Sequence, residues 1–252
     1  TETIKECRRS VDGMPGQIVI LDGSDPGCDW KTDSRSAVSG NLPPAEMPRA
    51  TSTEYFTNSN NSYWLSNPDR PLEGYSPVIG DERTARSLRT RAGLTFVDEA
   101  LTNGAKLTSE DLREILFSHR HYSAELFLDE VLTICEQAGD EIATSCEVLA
   151  SWNRTADVDS RGTHIWTEFW EQARRIPGMY AVPFDPADPV NTPRGLALDN
   201  PEVRGLLTDA LAAAQKKLTE SGIELDARWG DIQFAERNGE RIGIPGAVGN
   251  HG

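Results

Sequence analysis

Thr163-His-Ile-Trp-Thr-Glu-Phe-Trp-Glu-Gln-Ala-Arg-Arg175 sets Ile165, Trp166, Phe169, Trp170 and Ala173 on one face of a helix, with acids, a glutamine and arginines on the other. A face carrying two tryptophans and a phenylalanine at helical spacing reads as core packing, in preference to a ligand-stacking surface. The helical period extends in both directions from here. Downstream, Asn200-Pro201-Glu202 supplies an N-cap, a proline at the first helical position and an acid in the first turn. The helix they open carries Leu206, Leu207, Ala210, Leu211, Ala214 and Leu218 and runs to Gly222. Upstream, Glu141–Trp152 reads as a short helix, and a longer one follows Ser123 with Leu126, Phe127, Val131, Leu132 and Cys135, ending by Gly139. Thr108 or Ser109 caps a stripe of Leu112, Ile115 and Leu116. Asp81 to Leu101 reads as one helix, or as two divided at Gly93.

Outside this block the pattern is different. Residues 1–80 are rich in Pro, Gly, Ser, Asn and Asp, and only Gln17-Ile-Val-Ile-Leu21 resembles a strand. So long a loop-rich stretch does not bury itself well, and we expect it to wrap over another surface. Ile176–Arg194 reads as a Pro-rich connector, and the tail as strands at Ile232-Gln-Phe234 and Arg241-Ile-Gly-Ile-Pro245 around an Asn238-Gly239 turn. The fold class is therefore α+β, helix-dominated, in three stretches: loop-rich 1–80, helical 81–222 and strand-bearing 223–252.

The chain has 252 residues, of which 37% are hydrophobic and 26% charged, an ordinary globular balance that excludes disordered and collagenous classes. Its longest apolar run, Ile18-Val-Ile-Leu21, is far too short to span a membrane. The net charge of −15 repels phosphate backbones, so nucleic acid and anionic membrane surfaces are poor partners. Cys7, Cys28, Cys135 and Cys146 fall into two sequence-local pairs without zinc spacing. Two disulfides in a periplasmic or secreted setting are the favoured reading, and four buried cytosolic thiols the competing one. With no initiator Met, no signal peptide and no evident final element, the chain reads as a piece of a larger protein.

Candidate chemistry is sparse. Thr1 invites an N-terminal-nucleophile reading, but the polar segment after it offers nothing to orient an attacking hydroxyl, and a trimmed end is preferred. His119 and His121, read as i, i+2 on a helix, face different ways, and His164 and His251 are isolated, so no histidine is assigned to catalysis and no metal site is expected. Asn58-Ser-Asn60-Asn-Ser62 is more suggestive. It lies between Tyr55-Phe56 and Tyr63-Trp-Leu65, and an Asn NH₂ is a suitable donor for a developing oxyanion, although composition alone favours an Asn-rich turn. Arg83, Arg86, Arg89 and Arg91 form a basic cluster whose planar forks suit an amide or a carboxylate.

Asn58-Ser-Asn-Asn-Ser-Tyr-Trp-Leu-Ser-Asn-Pro68, Pro71-Leu-Glu-Gly-Tyr75, Ile79-Gly80 and Ser87-Leu-Arg-Thr-Arg91 together resemble the penicillin amidase family. The similarity is to the branch holding acyl-homoserine-lactone acylases and the aculeacin A and cyclic-lipopeptide acylases. It continues through both cysteine pairs, Ser151-Trp-Asn-Arg154, Asp159-Ser-Arg-Gly162, Pro183-Phe184, Thr192-Pro-Arg-Gly195 and Arg228-Trp-Gly-Asp231. The resemblance implies an internal part of the β chain of an N-terminal-nucleophile hydrolase with an αββα core, residues 223–252 returning to that core. The attacking Ser would lie on a segment absent from this chain, and Thr1 does not match it. Asn60 would be the oxyanion-hole Asn, and Arg89 would orient Asn60 and the nucleophile's amine, with Arg91 a weaker alternative. The implied partners are the α chain, the remainder of the β chain and a small-molecule N-acyl substrate: an acyl-homoserine lactone, a lipopeptide antibiotic or a penicillin. The mechanism needs no metal or cofactor, self-cleavage of a precursor would make the chains, and the residues here match no calcium ligand set. A stand-alone, non-catalytic, disulfide-stapled secreted interaction module is the alternative.

Overall fold

Spaced apolar residues and capping side chains set the helices seen in a computed structural model, which describes residues 7–9, 20–30, 32–104, 106–137, 139–249 and 251–252. Thr1 and residues 17–19 lie outside the described residues. The chain divides into two units, Thr1–Phe56 with Ser62–Glu82, and Thr57–Asn61 with Arg83–Gly252. The short stretch 57–61, which contains Asn60, thus belongs with the helices.

In the loop-rich unit, Arg8–Arg9 (β1) pairs antiparallel with Ile20–Leu21 (β2), and the Cys7–Cys28 disulfide closes the segment. Single 3₁₀ turns at Pro26–Cys28, Pro44–Glu46 and Tyr63–Leu65 stand between loops. Trp64 and Leu65 are buried. Glu82 gathers the surrounding loop by accepting from the Tyr63 hydroxyl at 2.5 Å and from the Gly74 and Tyr75 amides at 2.9 Å each. These bonds hold the Glu82 carboxyl below its ordinary range, the Tyr63 hydroxyl contributing most. Burial, followed by the Glu82 contact, raises the Tyr63 hydroxyl to about 12.

The helical unit contains Leu88–Leu101 (α1), Ser109–Phe117 (α2), Tyr122–Cys135 (α3), Ala143–Ser151 (α4), Thr163–Ala173 (α5), Pro201–Glu220 (α6) and Trp229–Ile232 (α7). α1 is a single helix that runs through Gly93. It begins at Leu88 rather than near Asp81, because Ser87 caps it by accepting from the Thr90 amide. Thr108 and Asp111 form a reciprocal capping box on α2. The Asn200 side chain caps α6 ahead of Pro201. α3 stops at Cys135, before the expected Gly139, and the Cys135–Cys146 bridge joins it to α4.

Ile165, Trp166, Phe169, Trp170 and Ala173 of α5 are all buried, as the periodicity requires, against Phe127, Leu207, Leu211 and their neighbours. Trp166 and Trp170 stack with ring centroids 5.9 Å apart. The Ile176–Arg194 stretch is more than a connector. Tyr180–Val182 (β3) pairs antiparallel with Arg194–Leu196 (β4) across a long loop, a pairing without a short turn signal. At the tail the first strand begins at Phe234, not Ile232, which instead closes α7. Phe234–Arg237 (β5) and Glu240–Gly243 (β6) form a hairpin whose Asn238 and Gly239 both have positive φ, 55° and 79°, as a type I′ turn demands. Mixed helices and two-stranded sheets agree with the α+β class.

Candidate active site

The start of α1 organises the Asn-rich stretch. Asn61 donates through Nδ2 to Ser87 Oγ at 3.3 Å and also to Thr90 Oγ1, so the helix cap and the stretch are sewn together. Asn60 next to it adopts a left-handed backbone with φ 58°, and its amide donates to Asn58 Oδ1 at 2.8 Å, an Asx turn of the kind that tolerates this conformation. The turn brings Asn60 over Arg89 in the first turn of α1. Arg89 donates from Nη1 to Asn60 Oδ1 at 3.3 Å and from Nη2 to the Ser59 carbonyl.

The polarity of this contact sets the amide's orientation. A guanidinium has only donors, so it holds the Asn60 oxygen and turns Nδ2 the other way. Asn60 Nδ2 has no acceptor among the described residues, and both Asn60 and Arg89 are exposed. The result is an oriented NH₂ donor with its partner position open.

The structure separates the two arginines proposed for this role. Two residues along a helix turn the side chain by roughly 200°, and Arg91 is buried where Arg89 is exposed. Arg91 donates from Nε to the Val190 carbonyl at 2.6 Å and from Nη1 to the Pro193 carbonyl at 2.9 Å, and burial lowers its pKa from the ordinary value. It ties α1 to the loop between β3 and β4 and does not touch Asn60. Arg83 and Arg86 precede the helix, so the four arginines do not share one helical face.

His119 and His121 lie outside a helix: His119 has φ 48°, and His121 is the N-cap residue of α3. His121 is fully buried, with its ring 5.5 Å from that of His251. Trp166 Nε1 donates to Ser123 Oγ at 2.9 Å, and Ser123 Oγ is hydrogen-bonded to His121 Nδ1 at 3.1 Å. Burial, with His251 close by, drives the His121 pKa to about 3. The ring is thus a neutral core group. His251 donates from Nε2 to Glu171 Oε1 at 2.9 Å. Arg174 first, then His251, hold the Glu171 carboxyl at about 2. His164 reaches the Glu224 carbonyl at 3.1 Å. No histidine approaches Asn60 or Arg89 by any of these bonds, and among the described residues no group of three or more His, Cys, Asp or Glu is placed to hold a metal ion.

In the loop-rich unit Leu21, Trp30, Leu42, Met47, Val78 and Ile79 line an open, mostly apolar groove of about 870 Å³. Among the described residues no helix is long and apolar enough to cross a membrane.

The penicillin amidase model matches residues 7–249, nearly the whole chain. The chain belongs to the penicillin amidase family. It is 34% identical over 235 residues to the acyl-homoserine lactone acylase PvdQ of Pseudomonas putida, an alignment covering 93% of this chain and 30% of that protein. It is 35% identical over 248 residues to the aculeacin-A acylase of Actinoplanes utahensis, covering 92% and 30%. A PvdQ acylase of Pseudomonas syringae pv. tomato is 31% identical over 250 residues, covering 97% and 32%. This member of the family thus spans about 30% of the length of the relatives it matches.

Several contributors to the site were invisible to pattern reading. Ser59 enters through its carbonyl, which any residue carries. Ser87 and Thr90 act by fixing Asn61, and only the Ser87 cap had a local signal, a small hydroxyl residue just before an apolar helical stripe.

Proposed function

We propose that this chain is part of an acylase that hydrolyses the amide bond of N-acylated small molecules, with Asn60 as an oxyanion-hole donor and Arg89 as its positioning residue. One observation carries the reading: Arg89 holds the oxygen of the Asn60 amide, so the NH₂ faces away as a preset donor. Preset donors matter because no reorganisation is needed when charge develops on the attacked carbonyl oxygen. One such donor is typically worth about 3–4 kcal/mol of barrier.

In the proposed reaction a Ser hydroxyl at the N-terminus of another segment attacks the amide carbonyl, with its own α-amine as base. The carbonyl electrons move to oxygen, where Asn60 Nδ2 meets the negative charge. Collapse expels the protonated amine, and water then hydrolyses the acyl-enzyme. The α chain and the rest of the β chain, formed by self-cleavage of a precursor, would supply the nucleophile, a second oxyanion donor, most of the acyl pocket and the αββα core. Acyl-homoserine lactones and lipopeptides are the favoured substrates, since the relatives above are named for such substrates. Penicillins are the third class. Both disulfides suit an oxidising compartment, and we place the protein in the periplasm or outside the cell. Family membership gives the stand-alone interaction module no support.

The test is turnover by the intact processed enzyme on a panel of long-chain acyl-homoserine lactones, a lipopeptide and a phenylacetyl amide. Asn60→Ala should lower kcat about 100-fold or more with a modest change in KM. Unchanged turnover would remove Asn60 from the oxyanion hole, and activity on the phenylacetyl amide alone would overturn the preference for acyl-homoserine lactones and lipopeptides.

A further inference from the structure

Arg89 is an awkward residue to use for positioning. Its side chain is exposed and rich in rotamers, and its bond to Asn60 is long at 3.3 Å. Two contacts at the guanidinium leave the flexible stem free to swing unless something confines it. The backbone at Gly249 does so. A Cβ at Gly249 would stand only 3.2 Å from Cδ and 3.4 Å from Nε of Arg89, so the bare glycine lies directly against the stem.

That backbone is tethered on both sides. Before it, the Gly246 amide donates to the Ala156 carbonyl at 2.7 Å, and Trp229 Nε1 donates to the Gly246 carbonyl at 3.0 Å. After it, the Ser123 amide at the start of α3 donates to the His251 carbonyl at 2.9 Å. The fully buried His251 ring is bound to Glu171 on α5. Gly252, with φ 93°, lies so close to Tyr122 that a Cβ would come within 2.5 Å of the Tyr122 Cβ. The anchors after it lie on α3 and α5, whose buried side chains belong to the hydrophobic core of the unit.

We propose that Gly249 is a positioning residue for the Asn60–Arg89 pair: its bare backbone, held by the tethers at Gly246 and His251, confines the Arg89 stem so that the guanidinium stays on Asn60. This rests on the acylase reading of that pair. A side chain at Gly249 pushes the stem off its path and loosens the donor. Displacements of about 1 Å far from the reacting atoms can cost about 100-fold in rate.

The experiment is a double-mutant cycle in the intact processed enzyme, on whichever substrate of the panel is turned over. Gly249→Val should lower kcat by about tenfold or more with little change in KM, and Gly249→Ala by less. On an Arg89→Ala background, Gly249→Val should cost almost nothing further, because the stem it would displace is gone. Equal losses in both backgrounds would show a general packing effect and overturn the proposal, as would unchanged kcat in Gly249→Val. If Gly249→Val prevents maturation, the same cycle is read with Gly249→Ala. Full turnover in both Asn60→Ala and Arg89→Ala would overturn the oxyanion-hole reading of that pair, and turnover of no substrate in the panel would overturn the acylase reading itself, both results distinct from failure of the Gly249 cycle.

Discussion

The loop-rich unit and the helical unit solve the same problem, paying for an ordered backbone, by different means. In the helical unit α1, α3, α4, α5 and α6 turn apolar faces inward, whereas Leu112, Leu116 and Phe117 of α2 stay exposed, and the buried cluster includes Trp152, Trp166, Phe169 and Trp170. The loop-rich unit buries few large side chains, chiefly Trp64 and Leu65. It relies instead on polar anchors: Glu82 under three donors, Glu73 accepting from Trp64 Nε1 at 2.8 Å, and Asn67 donating to the Tyr55 carbonyl at 3.1 Å. Hydrogen bonds to solvent-exposed carboxylates are screened by water and each adds little, whereas a buried tryptophan contributes several kcal/mol, about 3–5. A cross-link of similar strength therefore matters more in the first unit than in the second.

The largest expected effect lies in the helical core. Trp166→Ala should destabilise the helical unit by about 3–5 kcal/mol, since it opens a large cavity and strands the Ser123 hydroxyl, and denaturant unfolding followed by tryptophan fluorescence measures it. A loss under 1 kcal/mol would mean the stacked aromatic layer is not what holds this unit.

Cross-link removal comes next. The bridged cysteines are 21 residues apart in Cys7–Cys28 and 11 apart in Cys135–Cys146. Chain entropy makes both bridges worth about 3 kcal/mol. Equal entropic terms should nonetheless have unequal consequences. Replacing Cys7 and Cys28 by Ser should abolish amide protection across the loop-rich unit, whereas the same change at Cys135 and Cys146 should lower the melting temperature while leaving the helices protected. Hydrogen exchange with mass spectrometry distinguishes the two, and equal loss of protection would break the comparison.

The smallest effects are pH responses, and they differ between the units. His121 has a folded pKa of about 3, below its ordinary 6.5. The unfolded chain then takes up a proton that the folded one refuses, so stability is full above pH 6.5 and falls as the pH drops toward 3. His121→Gln, which cannot take up a proton, should flatten that slope. In the loop-rich unit Glu82 is a depressed group, so its contribution is present above the ordinary carboxylate value of 4.5 and is lost only below it. Exchange at the Gly74 and Tyr75 amides should therefore stay slow at pH 5 and rise in stronger acid. A rise already at pH 6 would rule out Glu82 as the anchor.

How much was legible depended on sequence distance. The α5 stripe, the Asn200-Pro201 start, the Thr108 cap and the Asn238-Gly239 turn were readable because each is decided by side chains within a few residues of the backbone they shape. Asn60 and Arg89 were singled out only by combining residue chemistry with family resemblance, since an Asn-rich turn looks the same whether or not it serves a reaction. The β3–β4 pair was missed because its strands meet across a loop with no hairpin signature.

The sequence by itself determined where the helices of the central block lie and where the chain turns, because periodicity, capping and turn chemistry act locally. Only the tertiary structure decided between Arg89 and Arg91, put Ser59 and Gly249 beside the former, and made His121 a neutral core group. Those outcomes depend on which groups remote in sequence arrive at the same place. Burial, hydrogen-bond polarity and steric contact are set there, and no local pattern records them.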